Sequence, residues 1–579
     1  MARNRNYQIK KNWVIKEQGE IFSSEKFSED FIRLLVSRGI ETEEKALDYI
    51  DPKYEKLSDP TTITDMSLAV DAIEEAISKG EKIAIYGDYD VDGVTATALL
   101  VDFFRGIDVE TIRYIPSRSD EGYGLNIDAI ESLAKEGVNL IITVDCGSTS
   151  IDEIHRANEL GLKVVVTDHH VMKTENGKMV LPKAAAVINP KRMGERSPLY
   201  ELAGASVAFY LVRALMTNHE DKFAVGQEKW LLDLVALGTI CDVVPLTGEN
   251  RILAKWGLKV LAKTRRQGIV ALARVAEVNL NFVDSYKVGF LLGPRLNAAG
   301  RIEHAQSALS LLLTDTAEEA EKLALNLDEL NRTRQELTER IVSEAKEYID
   351  KDGASQKIYL LSKKDWPAGV VGIVASRLAE EYGRPMLVME DLGKELKGSA
   401  RSIKNFNIID ALSDCGEFLT HFGGHAYAAG FRLNKDKFVL LNEKLIQISD
   451  DKIQEKDLER EISVDMEILN KNITQKFLDE LNLLEPYGRD NGKPLFLLKD
   501  AKIVEARLVG TPAIHLKLII EQDGYSLAGI AFGYGEVLDL EPGEIYNFVV
   551  SLDTNEWNNR RTPEFKLIDL EHADTITVK

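Results

Sequence analysis

The stretch Ile85-Tyr86-Gly87-Asp88-Tyr89-Asp90-Val91-Asp92-Gly93 sets three alternating aspartates directly behind an apolar run, where a strand ends and a helix begins. Carboxylates this close repel one another unless a positive charge sits between them, and a divalent metal is the usual one. Two further apolar runs end the same way. Leu140 to Val144 leads into Asp145, and Val164 to Thr167 leads into Asp168-His169-His170. Open α/β sheets place their ligand sites at the carboxyl ends of the strands. The pattern therefore predicts a parallel sheet with a metal site at that end.

The rest of the chain divides around this unit. Residues 1–60 read as an N-terminal extension of short helices, with Phe27 to Ile50 the most periodic part. Strand-like runs alternate with helical patterns from about 80 to 245, predicting βαβ units in a domain that spans 61–315. Thr316 to Tyr348 contains neither Gly nor Pro and predicts a connecting helix over 316–351. A second, smaller α/β domain is expected over 352–448. After a charged link, Ala501 to Val509, His515 to Ile520, Ser526 to Phe532 and Tyr546 to Leu552 alternate apolar and polar residues. Short strands at this spacing predict a small β-barrel over 461–579, with an OB-fold as one candidate.

A lone DxDxD also occurs in calcium-binding turns. Those continue with oxygen ligands downstream, whereas Gly93-Val94-Thr95-Ala96 enters an apolar helix. Asp242, in Gly238-Thr-Ile-Cys-Asp-Val-Val-Pro-Leu246, adds another carboxylate. Mixed carboxylate and imidazole donors suit Mn²⁺ or Mg²⁺, and the histidine favours Mn²⁺. Two ions about 3.5–4 Å apart, sharing one Asp, stabilise both the attacking and the leaving oxygen of a phosphoryl displacement. Asp168 reads as orienting the two histidines rather than as a ligand. His155 and His219 fall in helical patterns as ordinary surface or core residues, and Cys146 and Cys241 read as small buried apolar groups.

The net charge of −22 opposes binding to a phosphate backbone. Local distribution can override the total. Between Arg251 and Ala276 there are seven Lys or Arg and no Asp or Glu. Arg251, Lys255, Lys259 and Lys263 recur every fourth residue and line one helix face, which is either the wall of a basic channel or simply a solvated face. Three cysteines without metal-ligand spacing point to a reducing cytoplasm. No apolar run approaches the roughly 18 residues of a membrane span, and the amino terminus lacks a signal-peptide core.

These residues resemble the DHH phosphoesterase superfamily, named for the triplet found here as Asp168-His169-His170, and within it the single-stranded-DNA exonucleases. The similarity runs through Tyr86–Gly93, Ser117-Arg-Ser-Asp-Glu-Gly-Tyr-Gly-Leu125, Val144-Asp-Cys-Gly147, Thr167–His170 and Gly238–Leu246. It continues through Gly293-Pro-Arg-Leu-Asn-Ala-Ala-Gly-Arg301, Gly398-Ser-Ala-Arg-Ser402 and Gly423-Gly-His-Ala-Tyr-Ala-Ala-Gly-Phe431. The resemblance implies a metal-dependent hydrolase that degrades single-stranded DNA from its 5′ end to mononucleotides, in repair and recombination.

By the same resemblance Asp88, Asp90, Asp92, Asp145, His169 and Asp242 hold two Mn²⁺ or Mg²⁺, and His170 faces the substrate phosphate. Arg118, Arg301, Ser399 and Arg401 gather the 5′ end. Ser399 and Arg401, two apart on an extended segment, point to the same side. Gly423-Gly424 before His425 lets backbone amides approach an anion. Tyr534 and Trp557 are candidate base-stacking platforms in the barrel, with core packing the competing reading. A monomer working beside a helicase and a single-strand-binding protein is expected.

One motif departs from the family. Gly488-Arg-Asp-Asn-Gly-Lys-Pro494 carries Asp490 and Gly492 where the barrel's entry turn usually has a Gly and a Pro. Two other functions compete: a phosphodiesterase for short oligonucleotides or cyclic dinucleotides, and a non-catalytic DNA-binding scaffold of the same fold.

Overall fold

The computed structural model describes residues 11–573 except 119, 176, 352, 536–539 and 558–559, together with the Trp557 side chain, which lies outside the described residues. The aspartate-bearing strands form one parallel sheet in the order Thr111–Tyr114, Ile83–Gly87, Leu140–Val144, Lys163–Thr167, Ala186–Ile188. Ile83–Gly87 and Leu140–Val144 are buried at every position, because helices cover both faces, as a parallel sheet requires. Parallel pairing brings every carboxyl end to the same side.

The helix Ala317–Lys351 is 35 residues long, about 53 Å at 1.5 Å per residue. It is shared between two cores. Ala320, Ala324, Leu327 and Leu330 pack into the core of the parallel-sheet unit. Ile341, Val342, Ala345 and Ile349 pack against Val370, Val374 and Leu378 of the next unit. A helix anchored this way acts as a strut and fixes the spacing between the units. The second unit has a mixed five-stranded sheet, ordered His421–His425, Ala428–Asn434, Glu395–Arg401, Met386–Asp391, Tyr359–Lys363. In the last part of the chain, Phe496–Val509 pairs with both His515–Gln522 and Ile545–Trp557, which closes a five-stranded barrel.

Residues 11–50 are built into the barrel and do not stand apart as an extension. Lys11–Ile15 is a strand paired in parallel with Arg460–Val464. Phe31, Leu34, Leu35, Ile40 and Ala46 share a core with Phe477, Phe496 and Phe548. The amphipathic helices Glu29–Ser37 and Glu43–Ile50 thus bury their apolar faces more than 400 positions away along the chain.

The basic helix face divides in two: Lys259 and Lys263 are exposed, as the solvated reading has it, whereas Arg251 and Lys255 are not. Arg251 is 2% exposed. Its guanidinium donates to the carbonyls of Tyr49 (2.8 Å), Leu484 (2.9 Å) and Glu485 (3.1 Å) and stacks on the Tyr49 ring. Lys255 donates to the carbonyls of Ile50, Leu483 and Glu485, and Lys259 lies 3.9 Å from Asp51. These carbonyls end the helices Glu43–Ile50 and Gln475–Asn482, where backbone acceptors have no partner within the helix. Arg251 and Lys255 therefore clasp the barrel unit to the parallel-sheet domain. Replacing Arg251 with Ala strands several buried acceptors and is expected to cost about 3 kcal/mol, seen as a lower urea midpoint for the first unfolding transition. An unchanged midpoint would refute the clasp.

The altered entry turn still forms. Gly488 and Asn491 exchange backbone hydrogen bonds of 3.0 and 3.2 Å. Asp490 adopts φ 57°, the left-handed region that Asp tolerates better than most residues. The Asn491 amide caps the carbonyls of Leu484 and Pro486.

Candidate metal centre and phosphate cleft

Each acidic or imidazole side chain reaches the site by a local rule. Asp88 follows the strand Ile83–Gly87. Asp90 is the N-cap of the helix Val91–Gly106, accepting from the amides of Asp92 (3.0 Å) and Gly93 (3.2 Å). Asp92, one turn in, accepts from the amides of Gly204 (2.6 Å) and Ala205 (2.9 Å) at the start of another helix, where the helix dipole favours a negative charge. Asp145 follows Leu140–Val144 with φ 63°, a strained conformation for a residue with a Cβ and one that recurs at functional sites. Asp242 caps the end of the helix Leu232–Cys241.

The six donors converge. Asp88, Asp90 and Asp145 bring their oxygens within 4.8 Å of one another, and so do the donors of Asp92, His169 and Asp242; Asp145, His169 and His170 form a third set. His169 Nε2 lies 3.1 Å from Asp145 Oδ1, 3.6 Å from Asp242 Oδ2 and 3.8 Å from Asp92 Oδ2. Glycines make the room: a Cβ on Gly204 would fall 2.6 Å from Asp145 Oδ1, and one on Gly238 2.6 Å from Asp92 Oδ1.

Two carboxylates about 4 Å apart repel by about 4 kcal/mol at an effective dielectric of 20. Burial first, then the neighbouring carboxylates, push Asp88, Asp92, Asp145 and Asp242 well above the usual carboxylate range. Meanwhile Asp88 Oδ1, Asp145 Oδ1 and His169 Nε2 are buried with no hydrogen-bond partner among the described residues. Orphaned acceptors this deep are rare in proteins. An oxygen-rich, imidazole-bearing set fits a pair of hard divalent cations.

Asp168 plays a different part. It accepts from the amides of Ser148 (2.9 Å), His169 (2.7 Å) and His170 (3.1 Å), and from His170 Nδ1 (2.8 Å). Burial alone would raise its carboxyl, but His170 and these donors hold it below the usual range. Burial likewise pulls His170 down, and Asp168 more than reverses this, leaving it at about 9. Asp168 thus favours the protonated form of His170. His169, buried and beside His170, titrates below its ordinary range and presents neutral imidazole.

Beyond this centre lies a second group of cations. Arg118 donates to the Gly300 carbonyl (3.1 Å) and lies over the Tyr89 ring at 3.9 Å. Arg301 donates to the Gly369 carbonyl (3.2 Å), one of the contacts between the two α/β units. Its burial and the nearby Arg118 lower it to about 9. Arg401 donates to Ser376 Oγ (3.0 Å) and Ser399 Oγ (2.9 Å), as the two-residue spacing on the strand Glu395–Arg401 predicts. No carboxylate is ion-paired with Arg118, Arg301 or Arg401 among the described residues. His425 sits on the hairpin His421–His425/Ala428–Asn434; burial, then the charges of His170 and Lys191, lower its pKa. Gly424 has φ 147° and a Cβ there would meet the Ala428 carbonyl at 2.3 Å, so only glycine fits.

Two residues escaped the sequence reading. Tyr123 Oη lies 2.8 Å from His170 Nδ1 and donates to the Asp145 carbonyl. Asn189 donates to the His170 carbonyl and to Ser148 Oγ. Asn189 follows the strand Ala186–Ile188, so the strand-end rule that found Asp145 applies to it too. In the barrel, Tyr534 packs against the core and donates its hydroxyl to the Ile568 carbonyl (3.2 Å).

The sequence also matches known families. The DHH family N-terminal domain matches residues 82–239, the DHHA1 domain 354–451 and the RecJ OB domain 464–569. The single-stranded-DNA-specific exonuclease RecJ of Bacillus subtilis (strain 168) is 40% identical over 540 residues, covering 93% of this chain and 67% of that protein. Its counterpart in Haemophilus influenzae is 35% identical over 91% of this chain and 94% of that protein. The crystal structure of RecJ in complex with Mn²⁺ from Thermus thermophilus superposes with a TM-score of 0.84 at 29% identity, covering 97% of this chain and 80% of that one. Similarity of this depth spans all three folded units as well as the cleft between them, and the chain belongs to the RecJ family of single-stranded-DNA-specific exonucleases.

Proposed function

We propose that this chain is a metal-dependent exonuclease that hydrolyses single-stranded DNA from its 5′ end to mononucleotides, in repair and recombination. The observation that carries this reading is the trio of orphaned buried atoms, Asp88 Oδ1, Asp145 Oδ1 and His169 Nε2, facing one another inside a ring of carboxylates. Asp88, Asp90 and Asp145 would hold one Mn²⁺ or Mg²⁺, and Asp92, His169 and Asp242 a second, with Asp145 next to both sets. Such a pair of ions supplies Lewis acidity and a nucleophile at neutral pH.

The protein's own groups do the rest. His170, whose protonated form Asp168 favours, offsets the charge that builds on the phosphate during displacement. Arg118, Arg301, Ser399 and Arg401 hold the terminal phosphate, and a site that grips a chain end sets direction. The hairpin bearing His425 covers the strand. Partners fit the same reading: a helicase to supply single strands, a single-strand-binding protein to present them, and a monomeric nuclease in the cytoplasm, where Cys146, Cys241 and Cys415 remain free thiols. Among the described residues no helix is long and apolar enough to cross a membrane.

The test is end-labelled single-stranded DNA in Mn²⁺, with duplex and EDTA controls. Immediate release of a 5′-labelled mononucleotide, late release of 3′ label, and no release in EDTA are expected. Hydrolysis of dinucleotides without attack on long strands would move the chain to the small-substrate reading. Binding without cleavage would move it to the scaffold.

A further inference from the structure

Three aromatic rings stand in solvent between the metal centre and the barrel. Phe282 is 73% exposed, Tyr286 62% and Phe290 68%. Rings of this kind bury about 150–250 Å² each when packed, so three in one short segment call for an occupant. The segment is no loose loop, because it is held at both ends. Ser285 Oγ donates to the Tyr487 carbonyl (2.6 Å) on the approach to the barrel. At the other end, a Cβ on Gly293 would fall 2.3 Å from Cys241 Sγ, and Cys241 directly precedes Asp242.

Between these anchors Lys287–Leu292 forms a π-helical turn, a form concentrated at functional sites. Val288 and Leu292 turn inward and are buried. Tyr286 and Phe290 stay outside, stacked on each other with centroids 4.9 Å apart and planes at 24°.

We propose that Tyr286 and Phe290 are the platform on which the bases of the single strand stack as it runs between barrel and metal centre. This rests on the nuclease reading above. Bases offer π-faces whatever their sequence, and an outward stacked pair of rings extends a base stack without hydrogen-bond readout. The position fits a nucleic acid strand better than a protein docking face. The same segment continues into the helix Gly293–Ile302, which carries Arg301. Arg489, on the barrel's entry turn, acts electrostatically on Asp242, and its carbonyl accepts from the Leu246 amide (2.9 Å). Arg489 thus puts a cation two residues from the ridge's Tyr487 anchor and near the metal centre. Tyr534, the barrel ring considered from sequence, is occupied by its own core contacts.

The experiment compares the wild type with Y286A/F290A on long single-stranded DNA. The KM of the double variant is expected to rise about 10–100-fold, at an unchanged melting temperature because both rings are exposed. The same proteins are then inhibited by competing oligonucleotides with and without a run of abasic sites. Removing bases should weaken inhibition of the wild type far more than of the double variant, and Y286F/F290W should restore the wild-type difference. A wild type that does not degrade single strands would overturn the nuclease reading itself. A wild type that does, beside a double variant with wild-type KM or an undiminished abasic penalty, would overturn the platform and assign the ridge to a protein partner.

Discussion

Replacing Asp145 with Asn is expected to lower kcat/KM on single-stranded DNA by at least about 10³-fold while leaving the fold intact. Asp145 belongs to the donor set of one proposed ion and its Oδ1 lies 3.1 Å from His169 Nε2 in the set of the other, so its loss weakens the first hold directly and disturbs the second. A metal's share of transition-state stabilisation is several kcal/mol, each 1.36 of which is tenfold in rate. Asn keeps the shape, which matters because Gly204 packs directly on this side chain. In the metal-free protein the substitution also removes a buried like charge, so the apo melting temperature should hold or rise. The Mn²⁺-induced increase in melting temperature that ligand binding gives the wild type should shrink. Near-wild-type turnover, or an undiminished Mn²⁺ shift, would sink the assignment.

The same carboxylates fix the sign of a pH effect in EDTA. Their folded pKa values lie above the unfolded ones, Asp92 and Asp242 at about 7 and Asp88 at about 8. Between the ordinary carboxylate range and about 8 the folded protein binds more protons than the unfolded chain. Stability must therefore fall as pH rises through that window. Metal should flatten the slope, since bound cations favour the ionised carboxylates.

What could be read from the sequence followed from how local the causes are. The convergence of Asp88, Asp145 and Asp168-His169-His170 was legible because strand, turn and side chain are adjacent in the chain, and the parallel sheet brings their ends together. The strut Ala317–Lys351 was legible for the same reason: uninterrupted helical periodicity. The basic face of Arg251 and Lys255 was misread because an i, i+4 pattern is the same whether it meets water or carbonyls more than 200 positions away. The helices within residues 29–50 showed an apolar face but not what it would bury against, which proved to be the barrel. Tyr286 and Phe290 were not singled out from the sequence. Their exposure is a product of tertiary packing, set by a π-turn that directs Val288 inward instead.

The last expected effect concerns the end of the substrate. Replacing Arg401 with Ala should raise KM for 5′-phosphorylated single strands on the order of 10²-fold and change kcat little. Arg401 spends donors on Ser376, Ser399 and the Ala400 carbonyl, which leaves part of its five-donor fork free. With no ion-paired carboxylate among the described residues, this pinned cation awaits an anion. It lies beside the first turns of the helix Ala368–Tyr382, with Arg301 bonded to Gly369 and Arg401 next to Gly372. A helix start flanked by two guanidiniums suits a phosphate on physical grounds, although the first amide, Ala368, already donates to Glu390 Oε2 (2.9 Å). Losing a charge-assisted contact to a desolvated phosphate costs about 2–5 kcal/mol. Because the terminal phosphate does not react, that loss falls equally on ground and transition states and appears in KM. The decisive control is a 5′-hydroxyl strand. The wild type should discriminate against it by about the factor that R401A loses on the phosphorylated strand, and R401A should hardly discriminate at all. R401K, which keeps the charge but not the fork, should fall between. A loss confined to kcat, or discrimination retained in R401A, would place the 5′ phosphate elsewhere in the cleft.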